Sequence, residues 1–328
     1  MTWNAINMEL SSIFERASVQ AIGERAWDIL TSSSRGKVLA RFSKAIYLSS
    51  SQNEILWLTA GDSPMHRRGI KLQGTLPKPA AGSTYRVHAD TLEFEGGFQI
   101  SLDQLRVWKP ERVQSYGRFC RSEISRTLYE SLTSLWVLPS PKGFGCLLPE
   151  IVRMTGGKTK PNIGFSKAPV LQLAWPGVRD TIEALRLQSY EQVLPSAAQI
   201  IGLGEGLTPS GDDYLGGLLF AREMLTKSLG DVPVYQQHDL NSFLAYAKRN
   251  TNAISYTILA DHAKGYGMET LHQFVYAILG GEPTERIQNL MVRLITVGHS
   301  TGWDFLAGAL TGMLVGVGEK SAIKAHLT

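Results

Sequence analysis

Apolar and polar positions change period along the chain, and the change divides it. From about Glu9 to Leu30 the apolar positions recur at helical spacing, which predicts an amphipathic helix. Short segments rich in β-branched and aromatic residues follow: KVLARF (37–42), AIYLS (45–49), EILWLTA (54–60), TYRVHA (84–89) and LEFEGGFQISL (92–102). Gly, Ser, Asp and Pro break them, so the first third reads as strands with hairpin-type breaks. The period turns helical over Arg121 to Trp136, and from Asp180 onward nearly every segment keeps it, including TNAISYTILADHAKG (251–265), METLHQFVYAIL (268–279) and TERIQNLMVRLITVG (284–298). The stretch 139–170 is dense in Gly, Pro and Lys and reads as a connection or lid. The expected fold class is therefore α+β: an N-terminal helix and β-rich domain over 1–140, a connection over 141–179, and a helical domain over 180–328.

The most apolar run, Phe305 to Val317, is shorter than the roughly 20 residues of a spanning helix and is flanked by Asp304 and Glu319. It predicts a buried helix, not a membrane segment. A second pattern overlaps it. SGDDYLGGLL (210–219) and TGWDFLAGAL (301–310) share the form [ST]GxD[YF]LxGxL, offset by 91 residues, so that Gly211, Asp213 and Gly217 correspond to Gly302, Asp304 and Gly308. Glycine inside a helix costs about 1 kcal/mol relative to Ala, and its recurrence in both segments favours a degenerate internal repeat over chance. Gly308, Gly312 and Gly316 fall four apart, as do Gly217 and Ala221, giving each helix a stripe of small residues that permits close backbone approach. The two helices are expected to pack on each other or on a shared neighbour. A parallel pair would bring Gly211 and Gly302 to one end; an antiparallel pair would separate them.

Composition narrows the chemistry. The chain has 328 residues, 43% of them hydrophobic, enough for a substantial core without covalent staples. Its formal net charge is only +4, with no basic run longer than Arg67 and Arg68, which argues against nucleic-acid binding. The first twenty residues lack a basic region followed by an apolar stretch, so no signal peptide is read and a cytoplasmic location is expected. Cys120 and Cys146 are far apart and outside any CxxC, and are expected as core thiols.

The candidate working surface is GLGEGLTPSGDDYLGG at 202–217. Gly202, Gly204 and Gly206 form a flexible loop, Pro209 limits its exit, and Ser210 stands where an N-cap belongs. Ser210 with Asp213, and Thr301 with Asp304, have the spacing of a capping box, so both acids are expected as structural caps. Asp212 has no such assignment, because its counterpart is Trp303. A glycine-rich turn entering a helix N-terminus offers N–H groups and the positive end of the helix dipole to a small anion. Expected binding residues are Gly204, Gly206, Thr208, Ser210 and Gly211 from the first copy and Ser300, Thr301 and Gly302 from the second. Asp212 and His299 are the catalytic candidates. No cofactor is evident; whether a divalent metal offsets the acids stays open. The loop lacks the last glycine of GxGxxG, and TGGKTK (155–160) lacks the first glycine of a P-loop, so neither nucleotide fingerprint is met.

GLGEGLTPSGDDYLGG resembles the GxGxGLTPSGDD signature of the AllH family, and TNAISYTILADHAKG and GHSTGWDFLAG are similar to two further segments of that family. The likeness covers about residues 195–317. It implies a subunit of an oxamate carbamoyltransferase of anaerobic allantoin breakdown, acting on oxalurate and phosphate or oxamate and carbamoyl phosphate, with AllF-like and AllG-like companion subunits. The STRTR and HPxQ motifs of aspartate and ornithine carbamoyltransferases are missing, so their mechanism does not carry over. The alternative is a non-catalytic protein that binds a small anion and scaffolds or regulates an enzyme.

Overall fold

A computed structural model of the chain describes residues 16–103, 105–110, 120–156, 168–230 and 235–325. The chain divides into two compact units, Met1–Pro110 and Glu111–Thr328, the first mainly β and the second mainly helical.

The first unit is a closed barrel. Its strands are β1 (Arg16–Gly23), β2 (Arg35–Arg41), β3 (Ala45–Ser50), β4 (Ile55–Ala60), β5 (Gly69–Leu72), β6 (Thr84–His88), β7 (Thr91–Phe94) and β8 (Gln99–Ser101), with a short β9 (Val107–Trp108). They pair in the order β5-β4-β3-β2-β6-β7-β8-β1, and β1 returns to β5 to close the ring. Most neighbours are antiparallel; β4 with β5 and β1 with β8 are parallel. Register shifts at Val19/Ala21 and Val38/Ala40 bend the strands as closure requires. Alternation supplies the interior: Ile46 and Leu48 of β3, Leu92 and Phe94 of β7, and Tyr85 of β6 point into one core with Ile22, Val38, Ile70 and Ile100. Helix α1 (Glu24–Ser32) adds Ala26, Ile29 and Leu30 to it.

The strands read from KVLARF to LEFEGGFQISL are all present. The helix expected over Glu9 to Leu30 is corrected: residues 16–23 form β1, only 24–32 are helical, and the earlier part lies outside the described residues. β1 bonds to β5, β8 and β9 at once, so long-range pairing overrules local helical spacing.

In the second unit two helices occupy the centre. They are α6 (Ser210–Leu229) and α11 (Thr301–Ala325); the others are α2 (Arg121–Ser131), α3 (Leu148–Met154), α4 (Pro169–Arg186), α5 (Tyr190–Ala198), α7 (Gln237–Asn250), α8 (Ala253–His262), α9 (Glu269–Leu279) and α10 (Thr284–Ile295). Residues 210–222 of α6 and 302–317 of α11 are buried on every face, the mark of helices enclosed by protein. They lie against each other in parallel. A Cβ on Gly308 would stand 1.8 Å from the Tyr214 carbonyl oxygen, one on Gly217 2.3 Å from that of Phe305, and one on Gly312 2.8 Å from that of Leu218. Thr208 meets Thr301, Tyr214 meets Gly308, Leu218 meets Gly312 and Arg222 meets Gly316, an order that rises along both helices together. The repeat thus packs through its glycine stripes, and the starts of α6 and α11 share one end. No described helix is long and apolar enough to cross a membrane.

Part of the stretch read as a connection is core. A 3₁₀ turn at Gly143–Leu147 leads into α3 and buries Phe144, Leu147, Ile151 and Val152 in the helical unit; residues 157–167 lie outside the description. Cys120 is exposed and Cys146 half-buried, so neither is the core thiol expected.

Candidate functional site

The two helix starts are built alike. Gly211 presses on the Ile200 carbonyl oxygen, 1.9 Å from where its Cβ would be, and Gly302 on that of Leu294 at 2.0 Å. Each start is therefore backed onto the chain segment before it, and only glycine fits. Gly204 has φ +121° and a Cβ there would lie 2.6 Å from the Ser210 N, so the loop folds onto the helix start it feeds. Gly206, also left-handed at φ +90°, has open space around it.

The expected capping boxes are not formed as read. Pro209 occupies the N-cap of α6 with no side-chain cap, and Ser210 is already the first helical residue. The acids instead reach across the repeat. The hydroxyls of Thr208 and of Thr301, the first residue of the other helix, stand close enough to Asp213 to favour its charged form; those of Ser300 and of Ser210, again from the other helix, do the same for Asp304. Thr208 and Thr301 are 3.1 Å apart, Ser210 and Ser300 3.5 Å. Asp304 Oδ1 also accepts the Phe144 N–H at 2.6 Å, an approach that Gly143 permits because a Cβ there would be 2.2 Å from the same oxygen. The Oδ2 atoms of Asp213 and Asp304 have no hydrogen-bond partner among the described residues, although the residues are 2% and 0% exposed.

Two such groups in one enclosure prefer to stay neutral. Burial raises Asp213 well above the ordinary carboxylate range, and the neighbouring Asp304 charge raises it further. Burial raises Asp304 to about 7, against the hydrogen bond from Phe144. The pair can hold a proton near neutrality, as a donor in one state and an acceptor in the other.

Asp212 has a different setting from the one expected. Its Oδ1 accepts the Gly202 N–H at 2.7 Å, and its Oδ2 accepts the Ser255 hydroxyl at 2.7 Å and the Thr251 hydroxyl. It is 1% exposed and binds the glycine loop to the start of α8. Asn252 assists: its side chain caps α8 through the N–H groups of Ile254 and Ser255 and donates to the Leu207 carbonyl at 2.7 Å. Thr251, Asn252 and Ser255 received no role from the residue-by-residue reading; the polar cluster at a helix start was the available signal. His299 is exposed, beside Ser300 in sequence but not among the groups around the two acids. The backbone donors are also fewer than expected, since the N–H groups of Gly211, Asp212, Asp213, Gly302 and Asp304 already serve the carbonyls of Leu203, Pro209, Val297 and Ser300. Among the described residues no group of three or more His, Cys, Asp or Glu is placed to hold a metal ion.

Fold and site together define a protein with a β-barrel unit and a helical unit whose duplicated helix starts share two buried acids. Residues 200–313 match the sequence model of the family described as oxamate carbamoyltransferase subunit AllH. The match contains both copies of the repeat and the α8 start that holds Asp212. No solved structure matches the chain.

Proposed function

We propose that the chain is an AllH-like subunit of a cytoplasmic carbamoyltransferase acting on a small anionic substrate, the pair oxalurate and phosphate or oxamate and carbamoyl phosphate, with AllF-like and AllG-like companions. The observation that carries the reading is the pair of buried carboxyls with open Oδ2 atoms, Asp213 and Asp304, set among four hydroxyls inside the family-matched segment.

Buried acids suit an anionic substrate only when neutral, and their raised pKa values favour that state. A neutral carboxyl donates an O–H to a phosphate or carboxylate oxygen, or to the oxyanion that develops when a carbamoyl carbon becomes tetrahedral. An ionised one accepts an N–H of the carbamoyl amide. A pair sharing a proton is complementary to both ends of a primary amide. In this reading Thr208, Ser210, Ser300 and Thr301 orient the substrate, Gly204 and Gly206 let the loop approach it, and Asp212 is a positioning residue that fixes the loop. His299, exposed and outside the groups around the two acids, is the remaining catalytic candidate. The internal pairing of Asp212 and of the helix-start N–H groups favours one second reading, a non-catalytic anion-binding or scaffolding subunit.

The test is formation of carbamoyl phosphate from oxalurate and phosphate by the chain with its companion subunits, and calorimetric binding of oxamate and carbamoyl phosphate to the chain. Asp213→Asn and Asp304→Asn should lower kcat/KM by about 100-fold or more while the fold is kept. Full activity in both variants would remove the acids from the site. Binding without turnover, with every companion supplied, would establish the scaffolding reading.

A further inference from the structure

The 3₁₀ turn that carries Phe144 is seated on the helices of both buried acids. Gly143 has φ +51°, and a Cβ there would lie 2.2 Å from Asp304 Oδ1, so glycine is what lets the next N–H reach that oxygen at 2.6 Å. The buried Phe144 ring stands 5.7 Å from the ring of Tyr214, the residue after Asp213 on α6. Gly145 presses on Trp303, the residue before Asp304 on α11, with its Cβ position 2.8 Å from the indole. The turn is thus fixed through the chain neighbours of the two acids, and its one polar contact with the pair goes to Asp304.

That contact makes the acids unequal. A backbone N–H only donates, whereas a hydroxyl donates or accepts. Asp304 meets the Phe144 N–H besides the Ser210 and Ser300 hydroxyls; Asp213 meets only the Thr208 and Thr301 hydroxyls. A donor that cannot turn round is strongest toward an ionised oxygen, so it favours the charge on Asp304. The charge of Asp212, next to Asp213 on α6, disfavours a second charge at Asp213. Cys146, in the same turn, is held as a neutral thiol by burial and by the Asp304 charge, and brings no charge of its own. The start of α8 presents Thr251, Asn252 and Ser255 to Asp212 and the loop, and His262 of α8 packs on the Phe305 ring at 4.8 Å, further along α11. Both Oδ2 atoms stay open and buried, so each acid has one oxygen left for a ligand.

We propose that the Gly143–Phe144 turn is a positioning element that commits the proton of the pair to Asp213 and leaves Asp304 as the acceptor. The consequence for substrate, which rests on the carbamoyltransferase reading, is a fixed direction for the amide. Asp213 Oδ2 donates to the carbamoyl oxygen, and Asp304 Oδ2 accepts from the carbamoyl N–H. A carboxylate in place of the amide would set an anionic oxygen against ionised Asp304, so the pair selects a carbamoyl group.

The experiment is infrared spectroscopy of the ligand-free full chain, which needs no substrate and therefore stands or falls separately from the carbamoyl phosphate assay. Asp304 titrates at about 7, so near pH 8 one protonated carboxyl band is expected. It should vanish in Asp213→Asn and persist in Asp304→Asn. In Gly143→Ala, where the Phe144 N–H is pushed off Asp304, the Asp304 titration should move up by about one pH unit, a shift that loss of packing alone would not give. If Gly143→Ala folds poorly, the two Asn variants decide the matter. The inference is overturned if the band is lost in Asp304→Asn and kept in Asp213→Asn, if no protonated carboxyl is seen near pH 8, or if folded Gly143→Ala titrates as the parent does.

Discussion

The two units use the same residue for opposite purposes. In the barrel, Gly61 and Gly82 take left-handed φ values of +62° and +86° with nothing within 4 Å of an added Cβ, so they serve the backbone's direction. In the helical unit, Gly217, Gly308 and Gly312 have ordinary helical backbone and no room at all, so they serve the neighbouring helix. The difference shows how each unit is held. Barrel strands are spaced by hydrogen bonds, and their side chains fill the interior by alternation. Helices α6 and α11 approach until backbone meets backbone, and that closeness brings Thr208 to Thr301 and Ser210 to Ser300. The site is a product of the packing stripe.

The largest expected effect tests that dependence. Gly308→Ala places a methyl 1.8 Å from the Tyr214 carbonyl oxygen, which no rotamer change relieves, and the helices must separate. We expect a loss of about 3 to 5 kcal/mol in urea unfolding, and less for Gly312→Ala, where the nearest atom is 2.8 Å away. A Gly308→Ala protein as stable as the parent would show that the stripe does not set the contact.

Next in size is Asp212→Ala. It leaves the Gly202 N–H and the Ser255 and Thr251 hydroxyls without their acceptor, and about 3 kcal/mol is expected, with faster hydrogen exchange at Gly202. Asp212→Asn should lose less. If Asp212→Asn instead keeps full stability but abolishes binding of oxamate, the residue faces the ligand after all.

The acids give a pH dependence with a fixed sign. Asp304 titrates at about 7 in the folded chain and near the ordinary carboxylate value when unfolded, so the folded state holds the extra proton between them. Its contribution to stability is present below about pH 4 and is lost as pH rises to about 7, amounting to roughly 2 kcal/mol or more. Asp304→Asn removes the titration while keeping an acceptor for the Phe144 N–H and gaining a donor. Compared by urea unfolding, the variant should gain on the parent from pH 5 to pH 8; a constant difference would mean that Asp304 is ionised throughout. If the neutral acid is the working form, activity of the parent should fall over the same interval.

Most of the barrel was legible, because alternation in AIYLS or TYRVHA is a local signal. β1 was not: its strand character comes from pairing with β5, β8 and β9, which local spacing does not encode. The duplicated helix starts were legible from [ST]GxD[YF]LxGxL, and the small-residue stripes anticipated the packing. The partners of the acids were not. An S-x-x-D spacing fits a cap on its own helix as well as an exchange between two helices, and only the parallel contact selects the exchange. Asp212 finds its partners 39 and 43 residues away, at Thr251 and Ser255, and Asp304 finds Phe144 at 160, separations beyond the reach of periodicity.

The smallest effect completes the contrast between the two kinds of glycine. Gly61 follows β4 in left-handed conformation, and the space about it is open, so a methyl there meets no neighbour. Gly61→Ala should therefore cost only the intrinsic penalty of that backbone, about 1 kcal/mol, a fraction of the Gly308 loss although the substitution is the same. Asn tolerates the left-handed region better than Ala, so Gly61→Asn should recover part of the penalty, whereas Gly308→Asn should be worse than Gly308→Ala because a larger group enters a closed contact. The measurement is four urea curves. Opposite rank orders of Ala and Asn at the two positions would separate a conformational glycine from a packing one; the same order at both would mean that the barrel turn, too, is closed by a neighbour.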